Sequence, residues 1–211
     1  MTKIIDLTMA MRPGVRGYAC KISHRKETEG WNARTLTLYS HTGTHMDAPL
    51  HFIKGGNTID KIDLNKCVGD CVRADLRPVA PKALITIEDL GEIAQNLQKG
   101  DRLILQTGWS QHVENTLVYR DKLPRISREL AHLLAEKEIG FLGVEPPSVA
   151  DVNNLTEVTE IHEILLKAEI VIAEGLCNLD ALGNSPFTIV ALPLKPEGAD
   201  GCPARIIALQ S

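Results

Sequence analysis

Short apolar segments recur along the chain and are separated by stretches with helical periodicity. Runs of four to seven mainly apolar residues are typical of strands, and apolar residues spaced three and four apart are typical of helices. We expect strands at residues 35–39, 102–105, 141–144, 170–173, 188–194 and 205–209. Strands that alternate with helices fold as a sheet covered by helices, so the sequence predicts an α/β fold.

Three segments carry signals for the start of a helix. Thr86, with Asp89 three residues later, forms a capping box ahead of a helix at residues 88–97. Ser127 and Thr159 are the expected N-caps of two further helices, which we place at residues 128–137 and 160–167.

The length and composition predict one domain. A chain of 211 residues, 44% of them apolar, can bury one sizeable core. The sequence contains no internal repeat, low-complexity tract or linker. We therefore expect a single domain over residues 1–211.

The charge pattern indicates which partners to expect. The net charge is -4, and the lysine and arginine residues are dispersed rather than gathered in a basic stripe. Neither nucleic acid nor an anionic membrane surface is therefore an expected partner. The N-terminal segment lacks the pattern of a signal peptide, and the five scattered cysteines fit reduced thiols better than a disulfide framework. A cytoplasmic location is expected.

Residues 41–51, HTGTHMDAPLH, contain three of the seven histidines and one aspartate. Glycine, proline and two threonines make this segment a poor helix, so we expect a loop. A polar loop whose histidines only bond to the backbone is one interpretation. Four potential ligands this close favour a divalent metal such as Zn²⁺, Mn²⁺ or Fe²⁺, because imidazole and carboxylate groups suit these ions. Three ligands from one loop leave coordination positions open, as catalytic sites do.

Other titratable residues are candidates for the same site. We expect His51 to face the pocket without binding the ion and to act as general base and acid. Glu174 follows an apolar strand, where a carboxylate is costly unless it is paired or metal-bound, although a strand end in solvent is the alternative. For His162, the neighbouring glutamates favour a solvated helix face. Spacing alone does not join Glu174 or His162 to the loop.

These motifs resemble one family, the cyclase-like metal-dependent hydrolases, which include bacterial kynurenine formamidase and isatin hydrolase. The family signature HxGTHxDxPxH matches residues 41–51 without exception. The similarity continues through TGW at 107–109, HEILL at 162–166, EGLCNL at 174–179 and LPLKPEGADGCPARIIAL at 192–209. It therefore spans nearly the whole chain.

The resemblance implies a fold and a metal site. The fold would be a swivelling β/β/α domain that assembles as a homodimer or homotetramer. One or two divalent ions, Zn²⁺ or Mn²⁺, would occupy the site, with Asp47 bridging them when both are present. The ligands that the resemblance implies are His41, His45 and Asp47 for the first ion, and Asp47, His162 and Glu174 for the second. His51 would transfer protons.

The resemblance also implies an activity, hydrolysis of a carbon–nitrogen bond in a small amide. N-formylkynurenine, an intermediate of tryptophan catabolism, is the leading substrate. The alternatives are hydrolysis of a cyclic amide such as isatin or of a lactone, and a non-catalytic protein that binds a small ligand.

Two departures from the family pattern bear on the substrate. Relatives that act on aryl substrates carry an aromatic residue after a proline and then a PGD-like turn, whereas residues 12–18 read RPGVRGY. Glu145 stands where the family usually has aspartate. Tyr18 or Trp31 would supply an aromatic wall of the substrate pocket, or would be ordinary core or surface residues.

Overall fold

The computed structural model describes residues 2–210, in which strands and helices alternate along the chain. The strands are β1 (Lys3–Asp6), β2 (Tyr18–His24), β3 (Ala33–Leu38), β4 (His45–Asp47), β5 (Val68–Asp75), β6 (Leu84–Ile85), β7 (Arg102–Gln106), β8 (Arg125–Ile126), β9 (Phe141–Val144), β10 (Val171–Glu174), β11 (Phe187–Pro193) and β12 (Gly201–Gln210). The helices are α1 (Lys26–Glu29), α2 (Ile87–Leu90), α3 (Glu92–Asn96), α4 (Thr116–Asp121), α5 (Arg128–Glu136) and α6 (Leu155–Lys167). The predicted α/β class is confirmed. The predicted domain limits, residues 1 and 211, lie outside the described residues.

Strand β4 closes the main sheet into a barrel. The strand order is β12-β11-β5-β7-β9-β10-β4, and β4 pairs with β10 on one side and with β12 on the other. Strands β5, β7, β9 and β10 run parallel, whereas β4, β11 and β12 pair antiparallel with their neighbours. Strand β1 adds to the far end of β12. A closed barrel leaves few exposed sheet edges, which protects its strands from pairing with other chains.

Two apolar cores lie on the two faces of this sheet. The core inside the barrel includes Met46, Ile104, Phe141, Ala173 and Ile206. The core between the barrel and helices α5 and α6 includes Leu103, Leu142, Ile172, Leu130 and Leu165. Successive residues of a strand face opposite sides, so Met46 in the inner core implies that His45 and Asp47 project toward the helical layer.

The predicted loop at residues 41–51 is partly wrong. His45, Met46 and Asp47 form β4, and all three are buried between two neighbouring strands. Three residues are too few to show a strand periodicity, and the pairing with β10 and β12 comes from distant parts of the chain. Long-range pairing therefore overrides the weak local preference.

The predicted helices are confirmed in part. Ser127 caps α5, as expected, and its hydroxyl accepts a hydrogen bond from the Leu130 backbone. The predicted helix at 88–97 is broken into α2 and α3 at Gly91, whose φ of 53° and ψ of −128° do not continue a helix. None of the described helices is both long and apolar enough to cross a lipid bilayer.

The predicted N-cap of α6 is wrong. The helix begins at Leu155, and the Asn154 side chain caps it by accepting a hydrogen bond from the Glu157 backbone, so Thr159 lies inside the helix. Leu155 is 79% exposed, which is why the apolar periodicity of the sequence does not reveal the first turn.

We expect Asn154→Ala to lower the free energy of unfolding by about 1 kcal/mol, because it removes the cap of α6. Thr159→Ala should leave that free energy unchanged or raise it slightly, because alanine has the higher helix propensity. Urea unfolding of the two variants beside the wild type measures both effects. A larger loss in Thr159→Ala would contradict the observed cap.

Candidate metal centre

Strands β4 and β10 bring two carboxylates and a histidine together. His45 lies directly opposite Glu174 in the antiparallel register. Side chains of directly opposed residues lie on the same face of a sheet. The His45 Nε2 atom is accordingly 3.3 Å from Glu174 Oε2 and 3.7 Å from Asp47 Oδ1.

Helix α6 adds a second buried histidine. His162 is 2% exposed, and its Nε2 atom lies 3.5 Å from Glu174 Oε1 and 3.7 Å from Asp47 Oδ2. The expected solvated face for His162 is therefore wrong. Residues one and two positions apart on a helix face different directions, so the neighbouring glutamates do not report the orientation of His162.

His41 follows β3 and lies between two carboxylates. Its Nδ1 atom is 2.8 Å from Asp47 Oδ1, and its Nε2 atom is 2.8 Å from Asp200 Oδ2. The ring packs closely against Gly201, where an added Cβ would lie 2.7 Å from His41 Cε1. Only glycine at position 201 leaves room for this ring.

A side-chain hydrogen bond and a close approach of two backbones hold the histidine-rich segment against the end of β10. The Thr44 hydroxyl donates a hydrogen bond to the Gly175 carbonyl at 2.6 Å. Gly175 has a φ of +70°, and an added Cβ would lie 2.6 Å from the Gly43 carbonyl oxygen. The close approach of these two segments sets where His45 and Glu174 meet.

Hydrogen bonds fix the proton position on two of the rings. His45 Nδ1 donates to the Gly43 carbonyl at 3.0 Å, and His162 Nδ1 donates to the Val158 carbonyl at 2.7 Å. A carbonyl oxygen only accepts, so the neutral form of each ring carries its proton on Nδ1. The lone pair of each Nε2 then faces the carboxylates.

The donor set fits a divalent cation. Asp47 is 1% exposed, and its buried Oδ2 atom has no hydrogen-bond partner among residues 2–210. A buried carboxylate oxygen without a partner is costly, and a bound cation would satisfy it. Two ligand atoms that share one ion lie about 2.9–3.4 Å apart when each is about 2.0–2.1 Å from it. The separations of 2.8–3.7 Å among the five side chains lie close to that range.

The cluster shifts the pKa values of its own members. Burial disfavours the charged form of His41, but the carboxylates of Asp47 and Asp200 outweigh burial and raise its pKa to about 9. Burial likewise opposes charge on His45 and His162, and again the neighbouring carboxylates raise the pKa of each. Without a cation, the proton on His41 therefore helps to balance the buried carboxylates at neutral pH.

His51 differs from the other histidines of the cluster. Its ring stacks on that of His41, with centroids 3.8 Å apart and planes at 25°. Burial lowers the pKa of His51, so the ring is neutral at neutral pH. A neutral imidazole beside the cluster can accept a proton.

The structure brings the five predicted ligands together and places His51 beside them. The two predicted pocket aromatics, Tyr18 and Trp31, lie in the β2–β3 hairpin instead. Tyr18 lies opposite Leu38 in the β2–β3 hairpin, and Trp31 is 57% exposed and lies 4.9 Å from the His24 ring. Their substrate role stays a prediction.

Two aromatic rings next to the cluster were absent from the sequence analysis. The Tyr39 ring lies 5.6 Å from that of His41, and the Phe52 ring stacks on that of His162 at 4.4 Å. Tyr39 and Phe52 each lie within two residues of the histidine-rich segment. Their position in the sequence is therefore the feature that indicates a place next to the site.

Asp200 is a further residue of the site that was not predicted from the sequence. It lies just before β12, far along the chain from the histidines that it contacts, so spacing does not join them. The one local signal is its place between glycines in the segment EGADG, at residues 197–201.

Glu145 anchors the loop after β7. Its carboxylate accepts hydrogen bonds from the Thr107 and Gly108 backbones, at 2.6 and 2.5 Å, and from the Ser110 hydroxyl at 2.6 Å. These three donors satisfy the buried carboxylate. Glu145 therefore fastens the loop to the end of β9.

Comparisons with known proteins agree on one family. The family model described as Putative cyclase matches residues 5–151. A kynurenine formamidase of Bacillus cereus is 32% identical over 206 residues, which cover 94% of this chain and 90% of the relative.

Solved structures agree on the fold. Isatin hydrolase A from Ralstonia solanacearum superposes with a TM-score of 0.84 at 24% identity, over 100% of this chain and 92% of that one. A predicted metal-dependent hydrolase from Bacillus stearothermophilus superposes with a TM-score of 0.80 at 27% identity, over 100% of both chains. The expected fold type is confirmed.

The affinity for a divalent ion should rise with pH up to about pH 9. The raised pKa of His41 means that the ion-free ring is protonated below about 9, and an ion that binds its nitrogen must displace that proton. Each displaced proton weakens apparent binding by about tenfold per pH unit below the pKa. Calorimetric titration with Mn²⁺ between about pH 6 and pH 8 measures this slope. An affinity that does not change with pH would contradict it.

Proposed function

The chain belongs to the putative cyclase family, and on this premise we propose that it is a metal-dependent hydrolase that cleaves the carbon–nitrogen bond of a small amide. The leading substrate is N-formylkynurenine. The similarity to a kynurenine formamidase over most of both chains supports this choice. The observation that carries the proposal is the meeting of three histidines with two buried carboxylates, one of which has an oxygen without a hydrogen-bond partner in the described part of the chain.

We infer that one or two divalent ions would be held around Asp47, by His41 and His45 on one side and by His162 and Glu174 on the other. The Asp47 Oδ1 atom faces His41 and His45. The Oδ2 atom faces His162, which also lies close to Glu174. The mixture of imidazole and carboxylate ligands suits Zn²⁺ or Mn²⁺. When bound, such a cation polarises a carbonyl group and acidifies water.

His51 is the proposed proton-transfer residue. Its ring is neutral, lies beside the cluster and keeps 23% of its side chain exposed, so a water molecule and a substrate can both reach it. As water attacks the amide carbonyl, His51 takes a proton from that water. It then returns the proton to the leaving nitrogen as the carbon–nitrogen bond breaks. Such acid–base catalysis typically contributes about 10²–10⁴-fold in rate.

Aromatic side chains would form the walls around the substrate. Tyr39 and Phe52 flank the cluster on two sides, next to His41 and His162 respectively. An aryl group such as that of N-formylkynurenine packs favourably against such rings. Tyr18 and Trp31 remain proposed pocket residues.

The chain is proposed to act as a homodimer or homotetramer. The β2–β3 hairpin pairs with no other strand among residues 2–210, and isolated two-stranded hairpins are marginally stable in water. It exposes apolar side chains, with Leu36 at 52% and Trp31 at 57%. A second copy would cover these side chains. A monomeric mass by light scattering at assay concentration would contradict this assembly.

The activity is tested with the purified chain loaded with Zn²⁺ or Mn²⁺. We expect hydrolysis of N-formylkynurenine that a chelator abolishes and the ion restores. His51→Ala should lower kcat by about 10²–10⁴-fold and retain the ion, because His51 transfers protons without binding the metal. His132→Ala, on the exposed face of α5, is the matched control and should keep both activity and ion.

The outcomes separate the alternatives. Release of the ion by His51→Ala would contradict the role given to His51. Turnover of isatin or a lactone in place of the formamide would support the related hydrolase. An ion-loaded chain that turns over none of these compounds would support a binding protein and contradict the proposed function.

A further inference from the structure

Asp200 faces both of the histidines that lie at the rim of the cluster. Its Oδ2 atom is 2.8 Å from His41 Nε2 and 3.3 Å from His51 Nδ1. Because the two rings are stacked, each presents one nitrogen to the same oxygen. Asp200 is not among the ligands given above.

The carboxylate determines which ring nitrogen carries the proton. An ionised carboxylate only accepts hydrogen bonds, so a neutral imidazole that bonds to it must place its proton on the nitrogen that faces it. For His41 this leaves the lone pair on Nδ1, which lies 2.8 Å from Asp47 Oδ1 and points into the cluster. The His51 Nδ1 atom lies 3.3 Å from the same oxygen. The carboxylate attracts a proton on that nitrogen and repels a lone pair there, so the favoured tautomer of neutral His51 keeps its lone pair on Nε2, the nitrogen that would accept a proton.

Each of the three ligand histidines is then anchored through its other nitrogen. His45 and His162 donate to backbone carbonyls, whereas His41 donates to the side chain of Asp200. A partner on the outer nitrogen orients the ring and raises its basicity as a metal ligand. A charged carboxylate accepts a stronger hydrogen bond than a carbonyl does.

The backbone around Asp200 is held without help from its side chain. The Ala48 N–H donates to the Asp200 carbonyl at 2.9 Å, and the Ile59 N–H donates to the Ala199 carbonyl at 2.9 Å. The Asp60 carboxylate accepts a hydrogen bond from the Gly198 backbone at 3.0 Å, so it also steadies this loop. Removing the Asp200 carboxylate should therefore leave the loop in place.

We propose that Asp200 is a positioning residue that fixes the proton of His41 on Nε2 and that of His51 on Nδ1. One carboxylate thus prepares both a metal ligand and the proton-transfer residue. The inference rests on the proposed function, because it assigns His41 to the metal and His51 to proton transfer.

Three variants test this role: Asp200→Ala, Asp200→Asn and, as control, Asp60→Ala. Competition with a chromophoric chelator measures the Zn²⁺ affinity, and long-range ¹H–¹⁵N spectra of the Zn²⁺-loaded protein show which nitrogen of each histidine is protonated. We expect Asp200→Ala to weaken Zn²⁺ binding by about 10–100-fold and to release the proton of His51 from Nδ1. Asp200→Asn should recover part of the affinity, because its carboxamide oxygen accepts one N–H. Asp60→Ala, which loosens the same loop, should change neither measurement.

Three results would overturn the inference. They are a wild-type His51 protonated on Nε2, an Asp200→Ala variant that binds Zn²⁺ as tightly as the wild type, and an Asp60→Ala variant that reproduces the loss. A wild-type chain that binds no Zn²⁺ would instead contradict the proposed function. In that case the inference would be tested only by which nitrogen of His51 is protonated in the metal-free protein. A proton on Nδ1 would support the inference, and a proton on Nε2 would overturn it.

Discussion

The buried carboxylate of Asp47 is the constraint on which the rest of the site depends. A charge that is almost fully removed from water must meet opposite charge or hydrogen-bond donors. His41 and His45 face one of its oxygens, and His162 faces the other. The positive charge comes either from protons on these histidines or from a cation that they bind. In both cases the histidines must surround the carboxylate of Asp47.

The barrel makes this arrangement possible. Strand β4 is only three residues long, yet it is paired on both sides, so its backbone is satisfied and rigid. Its alternation places Met46 in the apolar interior and presents His45 and Asp47 to the helical layer. Helix α6 then brings His162 onto the same face, and β10 brings Glu174. A functional site on strands and a helix is held more precisely than one on free loops.

Much of this could be predicted from the sequence because the signals are local. The histidine-rich segment places His41, His45, Asp47 and His51 in one short stretch, and the apolar strand before Glu174 makes its carboxylate conspicuous. The strands at 102–105 and 141–144 were predicted to within one residue, because buried parallel strands form compact apolar runs.

The rest could not be predicted because it depends on contacts between distant segments. Pairing with β10 and β12 makes residues 45–47 a strand, and the packing of α6 on the barrel buries His162. Asp200 reaches the histidines only because β12 lies next to β4. Each of these facts is a property of the tertiary structure and leaves no periodicity in the sequence.

The most direct test of the account is anomalous X-ray diffraction from crystals of the Zn²⁺-loaded protein, measured on both sides of the zinc absorption edge. We expect a zinc peak at bonding distance, about 2.0–2.2 Å, from the side chains of Asp47, His41 and His45. A protein whose zinc lies away from Asp47, with the carboxylate still paired only to protonated histidines, would contradict it.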